Sequence, residues 1–298
     1  MQNNQKQNSD SKPETVSNKS DTASESIKEM VKQKYAEIAN QDKTSNASSC
    51  CGATASCGDV YTIMSDEYDG INGYNQEADL GLGCGLPTAF ALIKKGDVVI
   101  DLGSGAGNDC FVARAETGEN GKVIGIDMTP EMIQKARANA TKMQYHNVEF
   151  RLGDIEKMPV TANTADVIVS NCVLNLVPDK AKAFCEINRV LKPGGHFSIS
   201  DIVLSGSLPA SIQQAAELYA GCVSGAIQKE EYLDLIDHHG FVNVKVQKEK
   251  IITIPDQILL NYISAEEITA FKNSGTGIYS ITVYAEKAGC CSKKESCC

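Results

Sequence analysis

The segment "DVVIDLGSGAGND", residues 97–109, restricts the fold of this chain more than any other stretch. It joins an apolar run of strand length to a turn bearing Gly103, Gly105 and Gly107, and then to a segment of helical length, 107–117. The run is apolar at consecutive positions, the pattern of a strand buried on both faces. The same layout recurs downstream. "KVIGIDM" reads as a second strand, and "TPEMIQKARANATKM" as a helix with Pro130 near its first position and Met132, Ile133, Ala136 and Ala140 on one face. "VEFRLGD" and "ADVIVSN" read as strands, 179–191 as a helix carrying Phe184, Ile187, Val190 and Leu191, "KPGG" as a turn, and "HFSISDIVL" as a fifth strand. This alternation predicts an α/β fold, a doubly wound Rossmann-like parallel sheet with helices on both faces.

The flanks differ. Residues 1–24 form a polar tail rich in Asn, Gln, Ser and Lys, expected to be disordered. Between 25 and 95 a helix is expected first. Thr22 and Glu25 have capping-box spacing, and Ile27, Met30, Val31, Tyr35 and Ile38 mark an apolar face. Loops follow that carry Cys50, Cys51 and Cys57 and then, in "GLGCGLP", Cys84. The sheet core occupies 96–205. Residues 206–287 add a helix around 209–223 with Cys222, a second helix in "QKEEYLDLIDHHGF", and the strands "VNVKVQKEKIITI" and "GIYSITVYAEK", an α+β cap. Residues 288–298 are a cysteine-rich tail.

Composition narrows the function classes. The net charge is -10, with 28 basic against 38 acidic side chains, and no Lys/Arg cluster suggests a nucleic-acid footprint. There is no apolar leader and no run near the roughly 18 apolar residues that would span a bilayer. A soluble, cytoplasmic protein is expected, with a monomer as the simplest assembly. Twelve cysteines are many for 298 residues. In a reducing compartment they point to soft-ion binding or redox work rather than a disulfide framework. The four histidines make no triad or metal-ligand pattern.

The loop after the first strand has chemistry written around it. Glycines allow a tight turn and close approach of a ligand to the backbone. Asp127 ends the second strand, where an acid is placed to bind ribose hydroxyls. Asp101 precedes the loop, and no phosphate clamp is evident. An acid there suits a cofactor with a positive end rather than a dinucleotide pyrophosphate.

Together "VIDLGSGAGND", "VIGIDMT", "RLGDIEKMPV", "SNCVLNLVPDK" and "VLKPGGHFSISDI" resemble the class I S-adenosylmethionine methyltransferases. The cysteines in "GCGLP", "SNCVLNLVPDK" and "GCVSGA" make the chain similar to the arsenite methyltransferases within that superfamily, over roughly 25–287. The resemblance implies S-adenosylmethionine as cofactor. It implies that Asp101, Gly103, Ser104 and Gly105 line its methionine side, with Asn171 beside them. By the same resemblance Asp127 takes the ribose, Met128 packs on adenine, and Gly153, Asp154 and Ile155 frame the adenine, Asp154 near its amino group. Leu82 departs from relatives with an aromatic there, and the loop with Cys57 is longer than the family's.

The resemblance also implies that Cys84, Cys172 and Cys222 hold trivalent arsenic, with Cys50 or Cys51 as a redox thiol. Three thiolates suit a soft three-coordinate ion. Such sulfur sets also take zinc or copper(I), but the long separations lack the spacing of a structural zinc site. Cys110 and Cys185 read as small buried packing residues. The terminal pairs Cys290/Cys291 and Cys297/Cys298 read equally as arsenite-holding or as an unstructured thiol tail. The expected partners are arsenite or its thiol conjugates and an external thiol reductant of thioredoxin or glutathione type. Two alternatives remain: a methyltransferase for a small carbon or oxygen nucleophile, which would want a base, and a protein that sequesters As(III) or a soft metal without chemistry.

Overall fold

The computed structural model describes residues 17–40 (side chains from 24 on), 68, 70–213, 223 and 225–289. Seven strands form one sheet in the order β3-β2-β1-β4-β5-β7-β6. They are β1 (Val98–Leu102), β2 (Lys122–Asp127), β3 (Val148–Leu152), β4 (Ala165–Asn171), β5 (Leu191–Ser205), β6 (Phe241–Ile252) and β7 (Gly277–Lys287). Strands β1 to β5 pair in parallel, whereas β7 pairs antiparallel with both β5 and β6. The C-terminal strands thus extend the core sheet, Ser200 facing Thr282 across the β5–β7 register.

The helices are α1 (Ser17–Ala39), α2 (Pro87–Phe90), α3 (Asn108–Thr117), α4 (Pro130–Lys142), α5 (Lys180–Val190), α6 (Lys229–His238), α7 (Asp256–Leu259) and α8 (Ala265–Asn273). Alternate residues of β1 feed opposite layers, as a two-residue side-chain period requires. Val99 packs with Cys110, Phe111, Met132 and Ala136 from α3 and α4, while Ile100 and Leu102 pack in the layer of Phe184 and Ile187 from α5 and Tyr232 from α6. Each of the Val, Ile, Leu, Phe and Met side chains among them contributes about 1.5–3 kcal/mol by leaving water. None of the described helices is long and apolar enough to cross a membrane.

Three expectations are corrected. The first helix begins at Ser17, so Thr22 lies within it and does not cap it. Its inward face runs Lys28, Val31, Tyr35, Ile38, whereas Ile27 and Met30 are 43% and 63% exposed. Val31, Tyr35 and Ile38 of the expected stripe face inward, and Lys28 takes the place on that face expected of Ile27. "KPGG" lies inside β5, where the register against β4 jumps between Ala165 and Val167. It is therefore a bulge that lets one strand continue, which accommodates Pro193 within a sheet.

Candidate active site

The carboxyl ends of β1 to β4 open onto a cleft whose empty space, open solvent included, is about 1100 Å³. Its place, where the strand order reverses beside β1, is where ligands bind in open α/β sheets. Asp101, Gly103, Ser104, Gly105, Asp127, Met128, Gly153, Asp154, Ile155 and Asn171 all line it. Gly103 turns the chain at φ +67, and a Cβ there would lie 2.4 Å from a Val173 methyl. Gly105, at φ +50, has open space where a Cβ would be, so its backbone is bare to a ligand. The Asp127 carboxylate fixes the loop: Gly105 N–H donates to Oδ2 at 3.0 Å and Thr129 N–H to Oδ1 at 2.8 Å.

The cleft is strongly acidic. Asp79, Asp101, Asp109, Asp127, Asp154 and Glu156 line it against one basic side chain among the described residues, Lys28. Burial, then the charge of Asp109, pushes Asp101 well above the usual carboxylate range. Burial raises Asp109 to about 6, although hydrogen bonds from Tyr68 and Asn171 pull the other way. Burial also raises Asp127 against the pull of its backbone donors. Carboxylates reluctant to ionise are relieved by a cation. A ligand with a positive end, a diol and an exocyclic amine matches this donor set. Lys28 does not neutralise the Asp101 end, because its ammonium sits 2.7 Å from Asp154 and 2.6 Å from Glu156.

Beside the acids stand two thiols. Cys84 and Cys172 are 2% and 4% exposed and belong to one apolar cluster with Ile202, Ile252, Ile278 and Val223. Val223 is the residue after Cys222, which lies outside the described residues. Cys172 also lines the cleft. It has φ +61, a left-handed conformation that costs a non-glycine residue about 1–2 kcal/mol. Its N–H donates to the Ser200 carbonyl at 2.8 Å. Cys84 is held from two strands. Its N–H donates to Asn171 Oδ1 at 3.0 Å, and its carbonyl accepts from Ser280 Oγ at 2.6 Å. The flanking glycines are there for space. A Cβ on Gly83 would lie 2.6 Å from Asn171 Nδ2, and one on Gly85 would lie 2.5 Å from Ser200 Oγ.

Asn171 joins the two halves. Its Oδ1 also accepts from Gly85 N–H at 3.3 Å, and its Nδ2 reaches Gly85 O at 2.8 Å, Tyr68 Oη at 2.8 Å and Asp109 Oδ2 at 3.1 Å. Tyr68 in turn donates to Asp109 Oδ1 at 2.7 Å.

Among the described residues no three His, Cys, Asp or Glu side chains converge as a metal site. Cys50, Cys51, Cys57 and the C-terminal cysteines lie outside the described residues, as does most of the helix expected around 209–223. Cys110 is buried and donates to Asp101 Oδ2 at 3.2 Å, and Cys185 lies half-buried on α5. Sequence reasoning missed Lys28, Tyr68, Asp79 and Asp109. Asp109 carries a signal that also has a bland meaning, since an acid in the first turn of a helix stabilises the helix dipole.

A family model described as "Methyltransferase domain" matches residues 93–240. The arsenite methyltransferase of Halobacterium salinarum is 42% identical over 235 residues, 74% of this chain and 59% of that protein. The arsenite methyltransferase of Aquipseudomonas alcaligenes is 34% identical over 238 residues, 78% of this chain and 66% of that one. The matched region thus spans about three-fifths to two-thirds of these relatives' length. The crystal structure of an arsenic(III) S-adenosylmethionine methyltransferase from Chlamydomonas reinhardtii superposes with a TM-score of 0.59 at 29% identity, covering 79% of this chain and 75% of that one. Sheet order, cleft and sequence agree: the chain carries a methyltransferase domain with the Rossmann-like fold of the class I S-adenosylmethionine methyltransferases, and it is similar to the arsenite methyltransferases.

Proposed function

We propose that this chain methylates trivalent arsenic held by cysteine thiolates. The observation that carries the reading is the burial of Cys84 and Cys172 in one cluster, with Cys172 lining the acidic cleft. A methyltransferase for carbon or oxygen nucleophiles has no use for thiols there. A sequestering protein has no use for the cleft.

S-adenosylmethionine, when bound, supplies a methyl group on a positively charged sulfur, open to attack by a lone pair. Asp101, with Asp109 and Asn171 nearby, would hold the charged methionine end, while Gly103, Ser104 and Gly105 admit it against the backbone. Asp127 would take the ribose hydroxyls, Met128 would pack on the adenine, and Gly153, Asp154 and Ile155 would frame it. Cys84, Cys172 and Cys222 would exchange thiolates for the oxygen ligands of arsenite, each new As–S bond releasing water. The arsenic keeps its lone pair, which is the nucleophile. No general base is needed, consistent with the absence of a histidine from the cleft lining among the described residues. Holding both reactants in contact lowers the barrier by up to roughly 7–11 kcal/mol for well-oriented groups.

Methylation takes arsenic formally to the pentavalent state. Two electrons return it to the trivalent state when two thiolates close a disulfide, one of them Cys50 or Cys51. An external dithiol or glutathione-type thiol then reopens the bridge by exchange. We assign this cycle to a monomer in the cytoplasm, where such reductants are available.

The test is incubation of the full chain with labelled S-adenosylmethionine, arsenite and a thiol reductant. Methylated arsenic is the expected product. Arsenite binding without product favours sequestration, and label found only on an organic acceptor favours a conventional methyltransferase.

A further inference from the structure

Asn171 is oversubscribed. Its Oδ1 faces two backbone donors, Cys84 N–H and Gly85 N–H, which fixes the orientation of the amide. Its Nδ2 carries two hydrogens but faces three acceptors: Gly85 O, Tyr68 Oη and Asp109 Oδ2. The contact to Asp109 is the longest, 3.1 Å against 2.8 Å for each of the others. Tyr68 and Asp109 both line the cleft, Asp109 being the charged one, and Gly85 follows the thiol-bearing Cys84.

We infer that Asn171 couples the two sites: a cation bound at Asp109 tightens the clamp on Cys84–Gly85 and so raises the affinity of the thiol site for trivalent arsenic. When an ammonium takes the Asp109 carboxylate, one competitor for the Asn171 hydrogens is withdrawn. Both hydrogens then settle on Gly85 O and Tyr68 Oη, and the backbone that carries Cys84 loses freedom. Linkage makes the effect reciprocal, so arsenic at the thiols raises donor affinity by the same factor. Asn171 is here a positioning residue for Cys84. The inference rests on the arsenic reading for its substrate, but the clamp itself does not.

Two measurements on the full chain test it, using sinefungin, a cationic donor analogue with no methyl group to transfer. The first is arsenite titration with and without saturating sinefungin. Wild type should bind arsenite roughly fivefold or more tightly with the analogue present, the lower end of typical couplings. Asn171→Ala should bring the ratio to about one. Tyr68→Phe removes one of the three acceptors, so it should shrink the ratio by tightening arsenite binding in the absence of the analogue. The second is amide hydrogen exchange at Cys84 and Gly85, which sinefungin should slow in wild type but not in Asn171→Ala. Should Asn171→Ala not fold, Tyr68→Phe carries both readouts. An arsenite affinity and an exchange rate that ignore sinefungin in wild type overturn the coupling and leave the arsenic reading standing. Protection without any arsenite binding at Cys84 does the reverse. Neither protection nor binding overturns both.

Discussion

Lys28 on α1 places its ammonium 2.7 Å from the carboxylate of Asp154, the residue assigned to the adenine end of the cleft. The same ammonium neutralises Glu156, whose side chain is 3% exposed. Burial alone would lower the lysine's affinity for its proton, but hydrogen bonds to both acids win and hold it above its ordinary value. The N-terminal helix is therefore fastened to the cleft by charge, and its Val31 and Tyr35 form part of the wall.

Replacing Lys28 by Met leaves Glu156 buried with the more distant Lys182, at 3.9 Å, and a 3.3 Å hydrogen bond from Asp179 N–H. The expected loss is about 2 kcal/mol in urea denaturation, below the roughly 3–5 kcal/mol typical of breaking a fully buried pair, because Lys28 is partly exposed. Adding Glu156→Gln should restore most of it. A Lys28→Met protein as stable as wild type would mean that α1 is not held this way.

The thiol at position 172 sits where glycine is cheaper. Strain that persists in a left-handed residue at a site points to a use for its side chain. Cys172→Gly and Cys172→Ser should both fold and bind S-adenosylmethionine with unchanged affinity, yet lose arsenic methylation. Cys172→Gly should relieve about 1–2 kcal/mol of this strain, whereas Cys172→Val, β-branched at φ +61, should be less stable than wild type. Normal turnover by Cys172→Ser would remove this thiol from the mechanism.

Donor binding should depend on pH with a definite sign. Asp109 titrates at about 6 in the ligand-free cleft, and Asp101 is raised further from its ordinary value by burial and by Asp109. A cation favours the ionised acids, so affinity for S-adenosylmethionine should rise as pH increases through about 6, with proton release on binding. Stability of the ligand-free protein carries the opposite sign. A carboxyl whose folded pKa is raised contributes stability below its ordinary value and loses it as pH rises through about 6. Calorimetry in buffers of different ionisation enthalpy measures the protons released. Asp109→Asn should reduce their number, and a pH-independent affinity in wild type would contradict the electrostatic account.

Most of the sheet was legible because buried parallel strands write themselves as apolar runs. Val99, Ile100 and Leu102 have consecutive or near-consecutive burial that no amphipathic helix shows. The lining of the cleft was legible for a related reason, since strand ends are where ligands sit, and Asp127 and Gly153 mark two of them. Lys28 was not, because an inward lysine reads as a solvent face until its buried partners are known. Nor was the clamp of Asn171 on Cys84, which depends on two segments meeting across β4 and β7. One missed element had its signal in plain view: Ser264 and Glu267 form a reciprocal capping box at the start of α8.

The account depends most on thiols from distant parts of the chain meeting at one arsenic atom. X-ray absorption at the arsenic edge, on the full chain loaded with one equivalent of arsenite, counts the sulfur neighbours directly. Three are expected in wild type, and one fewer in each of Cys84→Ser, Cys172→Ser and Cys222→Ser. An arsenic surrounded by oxygen, or a sulfur count indifferent to replacement of Cys84 and Cys172, would contradict it.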